Sequence, residues 1–200
     1  MEKKIRVAVL VSGGGTNLQA LLNAQKKLLL PSAHIALVVS NNPGAYALKR
    51  AEAFGVETKV LNKKQLGAAF EPQLIATLEE KRIDLIVLAG FMCILSKNFT
   101  DRYPERILNV HPSLIPAFCG EGFYGLRVHQ AALEKGVKVT GATVHFVNEI
   151  PDGGRILLQK AVAIRDNDTP QTLQKRVMRL AEWRLLPQAV EQVAHGLLQH

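Results

Sequence analysis

Strand-like and helical segments alternate along the first half of the chain, and this alternation constrains the fold more than any other feature. Apolar runs rich in valine, isoleucine and leucine are predicted as strands over residues 5–11, 34–40, 58–61 and 84–89. The segments between them are predicted as helices over residues 17–27, 45–54 and 70–81. Strands that alternate with helices build a parallel sheet, because each helix carries the chain back to the edge where the strands begin.

The second half of the chain departs from this alternation. A strand over residues 106–110 precedes a glycine-rich loop and a short helix over 128–134. Two longer strands, 137–147 and 156–164, predict a β-hairpin, and a helical segment over 172–195 contains Pro187, where we expect a kink or a break. The predicted fold is α/β: a single Rossmann-like domain over residues 1–200, with helices on both faces of a mostly parallel sheet and a C-terminal β-hairpin-like addition plus helix.

Composition and the length of the hydrophobic runs predict a soluble, cytoplasmic protein. The chain has 200 residues, of which 48% are hydrophobic and 21% charged, as in globular domains with one core. No apolar run approaches the ~20 residues that span a bilayer, and the N-terminus lacks a secretion signal. Cys93 and Cys119 show no spacing typical of a disulfide framework. We therefore expect a reducing compartment and no membrane partner.

The positive charge of the chain admits two interpretations. A net charge of +8 and a pI of about 9.7 are compatible with nucleic-acid binding. Lysine and arginine are scattered, however, and no basic tail or stacking motif accompanies them. We therefore expect no nucleic-acid partner and favour small anionic ligands. No histidine, cysteine or aspartate spacing indicates a metal site, so none is expected.

A glycine-rich loop, residues 13–17, joins the first strand to the first helix. Backbone N–H groups at a helix start bind phosphate, and the helix dipole favours the negative charge. The loop is not a P-loop, because no Gly-Lys-Ser/Thr follows, and a dinucleotide fingerprint would need a glycine where Leu18 stands. Spacing alone leaves two interpretations open: a site for a single phosphate, or a simple tight turn.

Asn109, His111 and Asp152 form the strongest candidate for a catalytic group. Asn109 and His111 are two residues apart at the end of a predicted strand, so they face the same side. A carboxamide donor, a proton-switchable ring and an acid that tunes the ring suit acyl transfer through an oxyanion. Taken singly, each residue also has a plain structural explanation: a loop histidine, a backbone-capping asparagine and a turn aspartate.

Three motifs in fixed order resemble the folate-dependent formyltransferase family. They are Asn-Val-His-Pro-Ser-Leu-Ile-Pro from residue 109, Thr-Gly-Ala-Thr-Val-His-Phe-Val from residue 140, and Asp-Gly-Gly from residue 152. With the loop Ser-Gly-Gly-Gly-Thr-Asn from residue 12, the resemblance runs from about residue 5 to about residue 190, and is closest to members that act on glycinamide ribonucleotide. It implies transfer of a formyl group from 10-formyltetrahydrofolate, a consumed co-substrate, to the amine of glycinamide ribonucleotide in purine biosynthesis.

The resemblance also assigns roles to individual residues. Asn109 and His111 match the residues that hold the formyl oxygen and supply a proton, and Asp152 matches the acid that keeps the imidazole charged. The ribonucleotide phosphate is assigned to Gly15, Thr16 and Asn17, and a further contact of this substrate to Glu182. A solvated helix glutamate is the alternative for Glu182.

Folate binding is implied for Met92, Cys93, Ile94 and Leu95, together with Asn109. Cys93 stands where the family usually has an arginine, and core packing is the alternative for Leu95 and for the neighbouring Phe91. The resemblance thus divides the domain into a phosphate-binding part, about 1–90, and a folate-binding and catalytic part, about 91–200.

Two related enzymes and one unrelated class remain as rivals. Methionyl-tRNA formyltransferase and formyltetrahydrofolate hydrolase share the Asn-His-Asp set, but each has an additional domain, which we do not expect in 200 residues. A catalytically silent phosphate-binding module is the rival from another class. A formyl-transfer assay separates these possibilities.

Overall fold

A seven-stranded sheet with the strand order β3-β2-β1-β4-β5-β6-β7 forms the centre of the computed structural model, which describes residues 3–199. Its strands are β1 (Ile5–Val11), β2 (Ala33–Ser40), β3 (Glu57–Val60), β4 (Leu85–Leu88), β5 (Ile107–His111), β6 (Val139–Phe146) and β7 (Ile156–Ala163). The first five strands pair in parallel, whereas β6 and β7 are antiparallel to their neighbours. The mostly parallel sheet and the predicted hairpin are both confirmed, and the hairpin extends the sheet from β5.

Eight α-helices connect and cover the strands within residues 3–199. They are α1 (Thr16–Lys26), α2 (Tyr46–Glu52), α3 (Lys63–Leu66), α4 (Phe70–Glu80), α5 (Lys97–Arg102), α6 (Leu126–Lys135), α7 (Pro170–Val177) and α8 (Trp183–Leu198). A 3₁₀ turn, Gly67–Ala69, precedes α4, and a π-helical segment, Met178–Glu182, joins α7 to α8.

Both faces of the sheet are buried, which explains why β1 is apolar at consecutive positions. Val7 and Val9 belong to the larger hydrophobic cluster, which includes side chains of α1, α2, α7 and α8. Ala8 and Leu10 point to the opposite face and pack with side chains of α4 and α5. Side chains of a strand alternate between faces, so the part of β1 that is covered on both sides, Val7–Val11, is apolar at every position.

Two short helices were missed by the sequence analysis. Helix α3 has four residues and α5 has six, too few to display a helical period of apolar positions. Each begins at a side-chain cap: Asn62 accepts a hydrogen bond from the N–H of Lys64, and Ser96 accepts one from the N–H of Phe99.

The predicted kink or break at Pro187 is wrong in its position. Helix α8 continues through Pro187, and the irregular segment is the π turn that ends at Glu182. A proline ring crowds the carbonyl four residues earlier, here that of Trp183, and leaves it without an intrahelical donor. The π turn ends directly before Trp183, so the backbone irregularity lies at the N-terminus of α8. The helix continues regularly beyond it.

Within residues 3–199, no helix combines the length and the apolar character that a membrane span requires.

Candidate active site

Asn109 and His111, on β5, face a cleft of about 790 Å³. Four segments form most of its wall, and they are residues 90–94, 109–112, 120–125 and 151–152. Helical segments complete the wall with five residues: Asn17, His129, Gln174, Met178 and Glu182. In open α/β sheets, ligands bind beyond the carboxyl ends of the strands, and the segments after β4 and β5 lie at those ends. The cleft therefore brings together the predicted catalytic residues and part of the predicted folate segment.

Asp152 lies against both partners on β5. Its Oδ2 is 3.4 Å from His111 Nδ1, and its Oδ1 is 3.5 Å from Asn109 Nδ2. The N–H of Gly120 donates to Oδ2 at 2.9 Å, which ties the glycine-rich loop to the carboxylate. Asp152 also has a φ of 55°, a left-handed conformation that aspartate tolerates in turns. The two interpretations from sequence, a turn residue and a partner of His111, describe the same residue.

Burial controls the charge of His111. Only 4% of the residue is exposed, and this burial lowers its pKa below the ordinary value, although the Asp152 carboxylate and the Phe118 carbonyl oppose the shift. Burial thus works against the persistent imidazolium that the sequence analysis expects, whereas Asp152 and Phe118 support it. Nε2 lies 2.8 Å from the Phe118 carbonyl oxygen, which only accepts, so Nε2 carries the hydrogen and donates.

His145 orients the Asn109 carboxamide from the neighbouring strand. Its Nδ1 donates to the Phe146 carbonyl at 2.8 Å, and its Nε2 accepts from Asn109 Nδ2 at 3.1 Å, because an amide nitrogen only donates. Asn109 and His145 are direct partners in the β5–β6 pairing. The sequence analysis did not include His145 among the site residues. The missing signal was the cross-strand register, which is known only once β5 and β6 are known to be antiparallel neighbours.

The carboxyl of Asp152 is held in its ionised form. Burial raises its pKa, but the imidazole of His145, the N–H of Gly120 and the imidazole of His111 outweigh burial, so the net pKa lies below the ordinary value. A stable negative charge therefore faces the Nδ1 edge of His111. This charge raises the pKa of His111, whereas burial lowers it.

The phosphate loop has the geometry of an anion site, but it lies only partly in the cleft. Gly15 precedes α1 with a φ of 72°, and α1 has no acidic residue in its first turn. Asn17 lines the cleft, whereas Thr16 lines a neighbouring groove of about 910 Å³ between α1 and α8. Gly15 lines neither cavity, so Asn17 is the one residue of the predicted phosphate site that shares the cleft with Asn109 and His111. The separate groove contains none of the predicted catalytic residues.

Glu182 is buried, not solvated. It is 6% exposed, and its Oε2 accepts a 2.7 Å hydrogen bond from Asn17 Nδ2. Burial raises its pKa to about 7, against the opposing effect of that bond. The Glu182 carboxyl is therefore much more easily protonated than an exposed glutamate. The alternative of a solvated helix glutamate is wrong.

The predicted folate segment divides between cleft and core. Met92 and Ile94 are 58% and 68% exposed and line the cleft with Cys93. The Cys93 sulfur accepts a hydrogen bond from Asn41 Nδ2 at 2.8 Å. Leu95 does not reach the cleft, because its side chain is buried in the core with α4 and α5. A cleft contact from the Leu95 side chain is therefore excluded, and the core-packing alternative applies to it.

Some groups at the site had no signal in the sequence. The Phe118 carbonyl and the Gly120 N–H contact His111 and Asp152 through the backbone, so side-chain identity does not reveal them. His129 is fully buried at the cleft wall, has no hydrogen-bond partner among residues 3–199, and has a pKa that burial lowers to about 4.

Within residues 3–199, no group of three or more histidine, cysteine, aspartate or glutamate side chains is placed to hold a metal ion.

Replacing Asp152 with asparagine is expected to lower the pKa of His111 further. Asparagine tolerates the left-handed backbone, so the change removes mainly the negative charge that raises this pKa. Activity that depends on a charged ring should fall most at and above the wild-type pKa of His111, and should be unchanged well below the pKa of the variant. An NMR titration of His111 measures the shift, with Asp166→Asn, at a fully exposed carboxylate, as the control. An unchanged His111 pKa contradicts the coupling.

Comparison with known proteins identifies the family. The profile of the formyl transferase family matches residues 5–190, and the chain belongs to this family. Its relatives include the trifunctional purine biosynthetic protein adenosine-3 of Gallus gallus, 47% identical over 98% of this chain but matched over only 19% of its own length. The chain thus spans about a fifth of this relative.

Other relatives are similar in length to this chain. The phosphoribosylglycinamide formyltransferase of Haemophilus influenzae is 39% identical over 97% of this chain and 89% of its own length. The solved structure of phosphoribosylglycinamide formyltransferase from Brucella melitensis superposes with a TM-score of 0.87, at 42% identity and 97% coverage of both chains. That of glycinamide ribonucleotide transformylase 1 from Symbiobacterium toebii gives a TM-score of 0.90 at 39% identity, covering 96% of this chain and 89% of the other. The predicted fold and family are both confirmed.

Proposed function

We propose that this protein is a phosphoribosylglycinamide formyltransferase that transfers the formyl group of 10-formyltetrahydrofolate to the amine of glycinamide ribonucleotide in de novo purine biosynthesis. The observation that carries the proposal is the contact of one carboxylate, Asp152, with both Asn109 and His111 in a single cleft. Relatives of similar length that bear this enzyme name support the choice of substrates.

The oxyanion is stabilised by Asn109 and His111 in this proposal. The ribonucleotide amine attacks the formyl carbon, and negative charge develops on the formyl oxygen. One amide N–H of Asn109 is directed to His145. The other is on the Asp152 side, where Nδ2 lies 3.5 Å from Oδ1, a distance longer than that of an ordinary hydrogen bond. That second N–H is the donor available to the oxygen. His111 Nε2–H is the other donor. When the substrates bind, it donates to the formyl oxygen instead of the Phe118 carbonyl.

Proton movement follows from the opposing effects on His111. Charge developing on the formyl oxygen favours the imidazolium, adding to the effect of Asp152 and offsetting burial. The amine nitrogen loses a proton, which Asp152 accepts transiently. His111 then receives this proton at Nδ1, the ring atom that faces Asp152. When the bond from the formyl carbon to the folate nitrogen breaks, that nitrogen takes the proton. One C–N bond forms and one breaks, with no net proton change.

The two substrates occupy opposite parts of the site. The folate lies along Met92, Cys93 and Ile94 and reaches Asn109. Cys93 stands in place of an arginine, so this position supplies no positive charge for the folate carboxylates. The folate is a co-substrate, consumed in stoichiometric amounts.

The ribonucleotide phosphate lies on the N–H groups of Gly15, Thr16 and Asn17, where the cleft adjoins the α1–α8 groove. Glu182 makes a further contact with the ribonucleotide. The buried Asn17 Oδ1 has no hydrogen-bond partner in residues 3–199 and is available as an acceptor.

The division of the domain and the cellular setting remain part of the proposal. Residues 1–90 supply the phosphate loop, and residues 91–200 supply most of the folate-binding and catalytic groups. The two parts meet where Glu182 of the second accepts a hydrogen bond from Asn17 of the first. We propose a cytoplasmic enzyme with small-molecule substrates and no nucleic-acid or membrane partner. Cys93 and Cys119 are both free, as a reducing compartment allows.

A formyl-transfer assay tests the function directly. The protein is incubated with 10-formyltetrahydrofolate and glycinamide ribonucleotide, and deformylated folate and formylated ribonucleotide are both measured. We expect the two products in equal amounts and no folate consumption when the ribonucleotide is omitted. Equal consumption without ribonucleotide would instead identify a hydrolase, and no consumption in either case would identify a silent binding module.

A further inference from the structure

We infer that Arg50 is a positioning residue for the ribonucleotide phosphate, acting through the glycine-rich loop. The inference rests on the proposed function, because it concerns the loop to which the phosphate is assigned. Arg50 lies in α2, 35 positions after Gly15 in the chain, and no motif of the sequence analysis includes it. It is half-buried, and its side chain crosses from α2 to the loop.

The guanidinium is held by three contacts. Nε donates to the Gly14 carbonyl at 2.8 Å, and Nη1 donates to Gln19 Oε1 at 2.8 Å. The guanidinium carbon lies 5.0 Å from the centre of the Tyr46 ring, close enough for a cation–π contact. One side chain thus joins the loop, α1 and α2, and its direction is fixed on three sides.

The Gly14 contact determines the direction of a phosphate donor. The peptide bond between Gly14 and Gly15 is trans. In a planar trans peptide the C=O of one residue and the N–H of the next point in opposite directions. When Arg50 binds the Gly14 carbonyl, the N–H of Gly15 must therefore point away from Arg50. This N–H is one of the three assigned to the phosphate, so Arg50 fixes it without touching the ligand.

The loop has little else to restrain this peptide. Gly13 and Gly14 have no side chains, and a Cβ built at either position meets nothing within 4 Å. The Gly13 carbonyl accepts the N–H of Ala47 at 3.0 Å, which holds the preceding peptide against the start of α2. Glycine backbones adopt many conformations, so without Arg50 the 14–15 peptide is free to rotate and the donor direction is lost.

The experiment compares Arg50→Ala, Arg50→Lys and Lys49→Ala. Lys49 neighbours Arg50 on α2, is exposed, and makes no contact with the loop, so its replacement controls for the loss of one positive charge. Binding of inorganic phosphate is measured by calorimetry, and kcat and both KM values are measured in the formyl-transfer assay. Thermal unfolding and circular dichroism establish that each variant is folded.

We expect Arg50→Ala to weaken phosphate binding and to raise the KM for glycinamide ribonucleotide by about tenfold, the size of one charge-assisted hydrogen bond. The KM for the folate and kcat should change by less than about twofold, because Asn109 and His111 do not contact Arg50. Arg50→Lys retains one donor and should recover part of the loss. Lys49→Ala should resemble the wild type.

Two results overturn the inference. In the first, Arg50→Ala and Lys49→Ala weaken phosphate binding equally, which reduces the effect to net charge. In the second, Arg50→Ala alters both KM values and kcat together, which indicates a general structural role. The proposed function fails separately: if wild-type protein transfers no formyl group, the calorimetric phosphate comparison still decides whether Arg50 positions the loop.

Discussion

Alanine at Asn109 or at His111 is expected to lower kcat by about 100- to 1000-fold, the usual cost of removing one preorganised oxyanion donor. Both donors are aimed by other groups, Asn109 by His145 and His111 by the Phe118 carbonyl and Asp152. Their loss should therefore appear in the chemical step more than in the KM of either substrate. Steady-state kinetics at saturating substrates measures the change.

The controls for this pair are residues of the same type outside the cleft. Asn98→Ala and His34→Ala alter exposed side chains and should leave kcat unchanged. Asn109→Ala also leaves His145 Nε2 without its donor, so thermal unfolding must accompany the kinetics. If a folded Asn109 or His111 variant keeps kcat within about threefold of the wild type, its role as an oxyanion donor is wrong.

Valine at Gly15 is expected to raise the KM for glycinamide ribonucleotide by at least about tenfold. Gly15 has a φ of 72°, and a Cβ there would lie 2.6 Å from the Ala47 Cβ and 2.8 Å from its Cα. A β-branched residue in the left-handed region is strained by about 1–3 kcal/mol, and α2 blocks the added atoms. The loop must move, and the N–H groups of residues 15–17 move with it. The KM for the folate should change far less.

Gly14→Ala is the matched control for Gly15→Val. A Cβ at Gly14 meets nothing within 4 Å, and this residue has no positive φ. It should keep the KM for the ribonucleotide within about twofold, since no van der Waals conflict arises. Inorganic phosphate should compete with the ribonucleotide and not with the folate in the wild type. Equal increases in both KM values for Gly15→Val would place the phosphate elsewhere.

The sequence determined the features that depend on neighbouring residues. Two-face burial made β1 apolar at consecutive positions, so the strand and its parallel class were predictable from the chain. The two-residue spacing of Asn109 and His111 placed both on one side of β5, and the structure brings them into one cleft. Gly15 was predictable as a loop glycine because it stands between a strand and a helix. The family resemblance, carried by long motifs, added Asp152 to this set.

Tertiary structure decided everything that depends on depth or on distant partners. Burial, which no local pattern reports, lowers the pKa of His111 and makes Glu182 a buried carboxyl instead of a solvated one. Glu182 meets Asn17 across 165 positions of chain, and Arg50 meets Gly14 across 36. Leu95 follows the cleft segment in sequence yet packs into the core. The periodicity of a sequence shows which side of an element is apolar. Which elements pair, and how far they exclude solvent from a side chain, are properties of the packed molecule.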